Sequence, residues 1–340
     1  MRAEGIHVQL KLKRPFGISR ETRSVQETFI VALSQDGHTG YGEATANRYY
    51  GVTVKKLLQG FEELKAFLEN YTLENPEDFW TQIKRKTGNF RFLMAALDEA
   101  AWDLYGKLKR QPLYRLWQTD ITNNPPTSYT IGIDEIEIMK EKIREMPWPV
   151  YKIKLGTDHD EEIIRSLREV TDKPFRVDAN AAWTPEKTLR LAGIFKDLNV
   201  EFIEQPLPAE AWKDMQKIKN KSPLPLIADE SCRTETGLAN CLDAFHGINV
   251  KLTKAGGLTP GKYMLKQAIK KKKLTMIGCM TESSVGISAA AQLLPLSRFA
   301  DLDGPLLIAN DPAQGVEIEN GEIIYSDLPG TGVKFFVSEF

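Results

Sequence analysis

Residues 150–155 read Val-Tyr-Lys-Ile-Lys-Leu, residues 175–178 Phe-Arg-Val-Asp, residues 201–204 Glu-Phe-Ile-Glu, residues 226–229 Leu-Ile-Ala-Asp and residues 248–254 Ile-Asn-Val-Lys-Leu-Thr-Lys. Each apolar run closes on a charge. The closing charges Lys154, Asp178, Glu204, Asp229 and Lys254 recur at steps of about 25 residues, the length of one strand, one helix and their loops. This spacing predicts successive parallel strands with one charge at each C-terminal end, which is where barrel enzymes keep their chemistry.

The text between these runs has helical spacing. Ile163, Ile164, Leu167 and Val170 fall on one face; Thr184 reads as an N-cap followed by Pro185 and an apolar face of Leu191, Ile194, Phe195 and Leu198. Further strands are expected at 128–133, 274–277 and 298–302, which makes eight counted from Ser128. Upstream, residues 6–13, 28–33 and 41–44 read as an antiparallel meander, and Leu93, Leu97, Ala100 and Leu104 form the stripe of a buried helix. The tandem Asn and Pro residues at 123–126 break the pattern. The expected organisation is an α+β region over residues 1–125, a TIM-type barrel over 126–305 and a C-terminal segment, 306–340, that returns to the first region. A hairpin around Asn320-Gly321, with strands at 316–318 and 322–325, is assigned to that first region.

Size and composition narrow the function. A chain of 340 residues with 42% hydrophobic residues is long enough for a barrel and a smaller domain. Its 45 basic and 46 acidic residues nearly cancel, so there is no field to attract nucleic acid or an anionic membrane. Three cysteines without a CxxC pair suggest neither a disulfide framework nor zinc. No apolar run reaches the length of a signal or a membrane span. A cytoplasmic protein is expected.

Asp178, Glu204 and Asp229 would place three carboxylates on neighbouring strand ends. Singly, each could be a loop anchor or a helix cap. In register with the repeat they would repel one another, and a hard divalent cation resolves this, Mg²⁺ rather than zinc because no His or Cys joins them. Lys152 and Lys154 flank Ile153 and so share a face, the barrel interior. Lys254 is expected to face the acids from the far side. Crowded ammonium groups and a dication disfavour protonation, so Lys154 and Lys254 are expected to act as general bases, with Lys152 and Mg²⁺ stabilising an enediolate. One base on each face leads to inversion at a carbon.

Several motifs resemble the muconate lactonizing enzyme subgroup of the enolase superfamily: Gly40-Tyr41-Gly42-Glu43-Ala44, Lys152-Ile153-Lys154, Asp178-Ala179-Asn180, Glu204-Gln205-Pro206, Asp229-Glu230-Ser231 and Lys254-Ala255-Gly256-Gly257. The resemblance spans essentially the whole chain. It implies an α/β fold, a modified (β/α)8 TIM-type barrel of the form (β/α)7β under an α+β capping domain, and lysine bases working with Mg²⁺. Within the subgroup the chain resembles the dipeptide epimerases, because Asp301-Leu302-Asp303 closes the last strand and two carboxylates on one face can hold the α-ammonium of a dipeptide. The same resemblance places Thr130, Asn180, Met280 and Glu282 against the substrate.

Specificity is expected from two capping loops, residues 16–23 and 47–52. Relatives acting on L-Ala-L/D-Glu carry an arginine in the first loop; here Glu21 stands at that place, which argues against a glutamate preference. Phe16, Ile18, Tyr49 and Tyr50 suggest a pocket for small or apolar side chains. The implied protein is an Mg²⁺-dependent isomerase, a homo-oligomer, acting on dipeptides. The alternatives are an o-succinylbenzoate synthase or N-acylamino acid racemase on the same fold and, in another class, a barrel that only binds small molecules. The lysine run 270–273 reads as a solvated helix end, and Gly256-Gly257 lacks the rest of a phosphate loop.

Overall fold

The computed structural model describes residues 1–336; the last four residues of the expected C-terminal segment lie outside the described residues. Three antiparallel strands, β1 (Arg2–Ile18), β2 (Glu21–Gln35) and β3 (His38–Thr45), form the meander, longer than its apolar runs suggest because the polar flanks also pair. Helices Val54–Glu69, Pro76–Lys86 and Arg91–Leu108 cover one face. Leu93, Leu97, Ala100 and Leu104 are all buried there. Gly40 and Gly42 let β3 lie directly on the helix Arg91–Leu108: a Cβ at Gly42 would stand 2.1 Å from the Ala96 carbonyl oxygen, and one at Gly40 2.3 Å from that of Ala100.

Eight parallel strands follow: β4 (Tyr129–Ile131), β5 (Tyr151–Lys154), β6 (Phe175–Asp178), β7 (Val200–Glu204), β8 (Leu226–Ala228), β9 (Gly247–Lys251), β10 (Leu274–Gly278) and β11 (Phe299–Asp301), paired in sequence order. The ends meet where the Ser128 N–H donates to the Ala300 carbonyl at 3.1 Å and the Leu302 N–H to Thr127 Oγ1 at 2.6 Å. Residues on one parity, such as Ile153, Val177, Ile203 and Val250, pack outward against the helices. On the other parity Phe202, Ile227 and Met276 plug the interior, so the barrel is a packed core and not a pore.

The capping region docks on the barrel through helix N-termini. Asp98 accepts from the Thr259 N–H and hydroxyl, both at 2.8 Å, and thereby caps the helix Leu258–Lys270 from outside it. Glu43 does the same for the helix Ser284–Ala291, accepting from Ser283 Oγ at 2.6 Å and the Gly286 N–H at 3.0 Å. Two carboxylates of one region thus satisfy helix N-terminal N–H groups of the other that have no partner within their own helix.

The C-terminal segment divides, contrary to the expectation for its hairpin. Ile308, Ala313 and Val333 do return to the meander, packing with Val8, Leu10 and Ile30. The hairpin Glu317–Glu319 and Glu322–Ile324 instead packs on the barrel core through Ile318, Ile323 and Tyr325, with the Gly321 carbonyl accepting from the Thr127 N–H at 2.8 Å just before β4. Apolar side chains on that hairpin find the barrel's N-terminal end nearer than the meander.

Candidate active site

Strand alternation turns Lys152 and Lys154 into the barrel and Ile153 out of it. Lys154 and Asp178 are paired neighbours across β5 and β6, as are Asp178 and Glu204 across β6 and β7. Lys154 Nζ lies 2.7 Å from Asp178 Oδ2. Lys152 sits one layer deeper, 2.7 Å from Asp301, 2.8 Å from Glu204 and 3.2 Å from Asp178. β8 is short, so Asp229 follows the strand instead of ending it. One oxygen each of Asp178, Glu204 and Asp229 nevertheless lie within 4.8 Å of one another.

Such a cluster is electrostatically unbalanced. Burial, and then repulsion from Asp178, pushes the Glu204 carboxyl up to about 7. For Asp178 burial also raises the pKa, but Lys154 and Lys152 outweigh it and hold the group below the usual carboxylate range. Lys251 and Lys254 do the same for Asp229. Three buried oxygen donors on adjacent strand ends, with no His or Cys among them, fit a hard divalent cation.

Lys254 does not stand where the spacing placed it. β9 ends at Lys251, and Lys254 belongs to the short helix Leu252–Ala255 that follows. Its ammonium donates to the Asp229 backbone carbonyl at 2.5 Å and to the Asp229 carboxylate, and it lines a neighbouring cavity with Arg91 and Arg233. The group that fills the expected position is Lys251, inward-facing on the same parity as Asn249, with Nζ 2.9 Å from Asp229 Oδ2. Burial lowers the pKa of the Lys251 ammonium, but attraction to Asp229 outweighs it and the group ends above its ordinary value. The signal for it lay in Asn249-Val250-Lys251, a polar-apolar-polar alternation like that of Lys152-Ile153-Lys154. Counting a constant repeat passed over it, since a strand ends where pairing ends.

Above these groups lies a cavity of about 360 Å³ between barrel and cap, lined by Lys154, Lys251, Asp229, Thr130, Asn180, Met280, Asp301, Asp303, Ile18, Glu21 and Tyr50 among others. Asp303 is not on the strand: β11 stops at Asp301, and Asp303 precedes the short helix Gly304–Leu307. Both carboxylates still reach the cavity. Asp301 accepts from Ser128 Oγ at 2.9 Å and Asp303 from the Thr130 N–H at 2.6 Å; burial and then Asp301 push the Asp303 carboxyl up to about 7. Glu282, which the resemblance places against the substrate, is not among the residues that line this cavity. It is buried under the loop, accepts from the Met280 N–H at 2.8 Å and, by burial and the neighbouring Glu43, is raised to about 8. Glu21 pairs with Arg23 across the cap rim.

The chain belongs to the mandelate racemase and muconate lactonizing enzyme group of the enolase superfamily. Residues 2–117 match the mandelate racemase/muconate lactonizing enzyme N-terminal domain and residues 135–337 the enolase C-terminal domain-like family. Within that group the chain is 49% identical to an L-Ala-D/L-amino acid epimerase of Flavobacterium johnsoniae, over 95% of this chain and 96% of that protein. It is 38% identical to an L-Ala-D/L-Glu epimerase of Bacteroides thetaiotaomicron, over 96% of this chain and 85% of the other. The crystal structure of a dipeptide epimerase from Cytophaga hutchinsonii, complexed with Mg and D-Ala-L-Val, superposes with a TM-score of 0.93 at 25% identity, covering 99% of this chain and 97% of that one.

Proposed function

We propose that the protein is a dipeptide epimerase, an isomerase that inverts the α-carbon of the C-terminal residue by two-base 1,1-proton transfer. The observation that carries this reading is the placement of two buried ammonium groups on opposite flanks of one acid row, Lys154 beside Asp178 and Lys251 beside Asp229. Asp178, Glu204 and Asp229 would hold Mg²⁺, which supplies a Lewis acid that makes a proton next to a carboxylate more acidic. One lysine Nζ takes the α-proton from its face of the substrate, and the other delivers a proton to the opposite face. Lys152, buried among the acids, contributes fixed positive charge as negative charge grows on the carboxylate oxygens. Lys254, committed to Asp229, has no part in the transfer and steadies that ligand.

Asp301 and Asp303 would receive the substrate's α-ammonium, with Thr130 orienting them. The relatives' names support a dipeptide, and Phe16, Ile18, Tyr49 and Tyr50 on the cavity's cap side support small or apolar side chains. The protein is read as a homo-oligomer of the cytoplasm, a location that three free cysteines suit. Among the described residues no helix is long and apolar enough to cross a membrane.

A mass-spectrometric screen of dipeptides in D₂O with Mg²⁺ tests the reading. The expected result is deuterium at the α-carbon of the second residue in L-Ala dipeptides with apolar second residues. Incorporation into N-acyl amino acids alone would transfer the assignment to the racemase alternative.

A further inference from the structure

Arg20 stands at the turn between β1 and β2, the tip of the first capping loop, and its side chain reaches the barrel at two places. Nη2 donates to Glu230 Oε1 at 2.8 Å and Nη1 to the Asn180 carbonyl at 3.3 Å. Glu230 directly follows Asp229, and Asn180 lies two residues after Asp178. The guanidinium also stacks on Tyr49 of the second capping loop, 4.3 Å from the ring centroid. On the other side of the same hairpin the Ile133 N–H donates to the Gly17 carbonyl at 2.9 Å. The loop is therefore held at both sides of the barrel mouth, and Arg20 also contacts the second loop, whose Tyr49 and Tyr50 lie under Arg233 of the barrel as well.

The partner is unusual. Glu230 is only 4% exposed, and its second oxygen, Oε2, has no hydrogen-bond partner among the described residues. Opening the loop would leave a buried carboxylate beside the acid row without its cation, a costly state. Closure is thereby favoured by the barrel's own charge and not only by contacts to a ligand. We propose that Arg20 is a positioning residue, a bolt that closes both capping loops over the cavity through Glu230, Asn180 and Tyr49 and so sets substrate affinity. This rests on the cavity being the epimerase site.

The test combines steady-state kinetics on an L-Ala dipeptide with hydrogen exchange of the loops in the protein without substrate. Arg20 acts on neither lysine, so ground state and transition state lose the same support. Arg20→Ala should raise KM about tenfold, the size of one charge-assisted hydrogen bond, and change kcat by less than about threefold. Arg20→Lys, which keeps the charge but not the fork or the stacking, should recover part of the loss. In Arg20→Ala residues 16–23 and 47–52 should exchange faster while the barrel strands do not. Unchanged loop exchange, or a loss confined to kcat, would overturn the proposal. Were the wild type inactive on dipeptides, the functional reading would fail, and loop exchange would still judge the bolt.

Discussion

Lys251 Nζ lies 2.9 Å from Asp229 Oδ2, at the opposite end of the acid row from the Lys154 pair with Asp178. β5 and β9 flank the three strands that lead to the acids, so the two amines approach the cavity from different sides. Two-base chemistry needs that separation.

Lys154→Ala and Lys251→Ala should each lower epimerisation by about 10³-fold or more, in the range of a lost general base. Each should still exchange the α-proton of one stereoisomer, a different one for each variant, read by NMR in D₂O. Lys254→Met should bind Mg²⁺ less tightly yet retain both half-reactions. Full turnover by Lys251→Ala, with Lys254→Met devoid of exchange, would return the role to Lys254.

Mg²⁺ should stabilise the protein by mass action, about 2.7 kcal/mol at a hundredfold excess over Kd. Calorimetry should show Tm rising with Mg²⁺ in the wild type and not in an Asp178→Asn/Asp229→Asn double variant. An ion-independent Tm in the wild type would remove the metal from the scheme.

Asp303→Asn should reduce kcat/KM for a free dipeptide by about 10- to 100-fold, the loss of a charged hydrogen bond. The wild type should turn over the N-acetylated dipeptide no better than the variant does. Undiminished activity on the acetylated compound would show that the carboxylates do not receive an ammonium.

Asp98 offers a pH test away from the cavity. Burial raises its carboxyl to about 8, despite the hydrogen bonds from Thr259. A native pKa above the unfolded one means that the folded state holds a proton the unfolded chain has lost. The contribution is fully present below pH 4 or so and is lost as pH rises towards 8. Asp98→Asn carries no such titration, so its Tm relative to wild type should climb between pH 5 and pH 9 in thermal scans. A difference independent of pH would mean that Asp98 is ionised throughout.

Much of this site was legible in the chain because barrels make periodicity visible. Residues 150–155 and 175–178 each had to supply outward apolar groups to the helices, so their inward charges stood out. The hairpin at Asn320-Gly321 was equally legible as a turn, with both residues at positive φ, but its packing partner was not. Turn chemistry is local; the surface a hairpin covers is not.

The one-dimensional record by itself determined the strand-helix repeat, the inward parity of Lys152 and Lys154 and the acids that cluster, since alternation and repeat length are properties of covalent geometry. Tertiary structure alone decided that β9 ends at Lys251, that Lys254 turns to the Asp229 carbonyl, that Glu282 is buried beneath its loop and that Arg20 reaches Glu230. These outcomes depend on where strand pairing stops and on which distant charge lies within a hydrogen bond's reach, and neither is written in the spacing of residues along the chain.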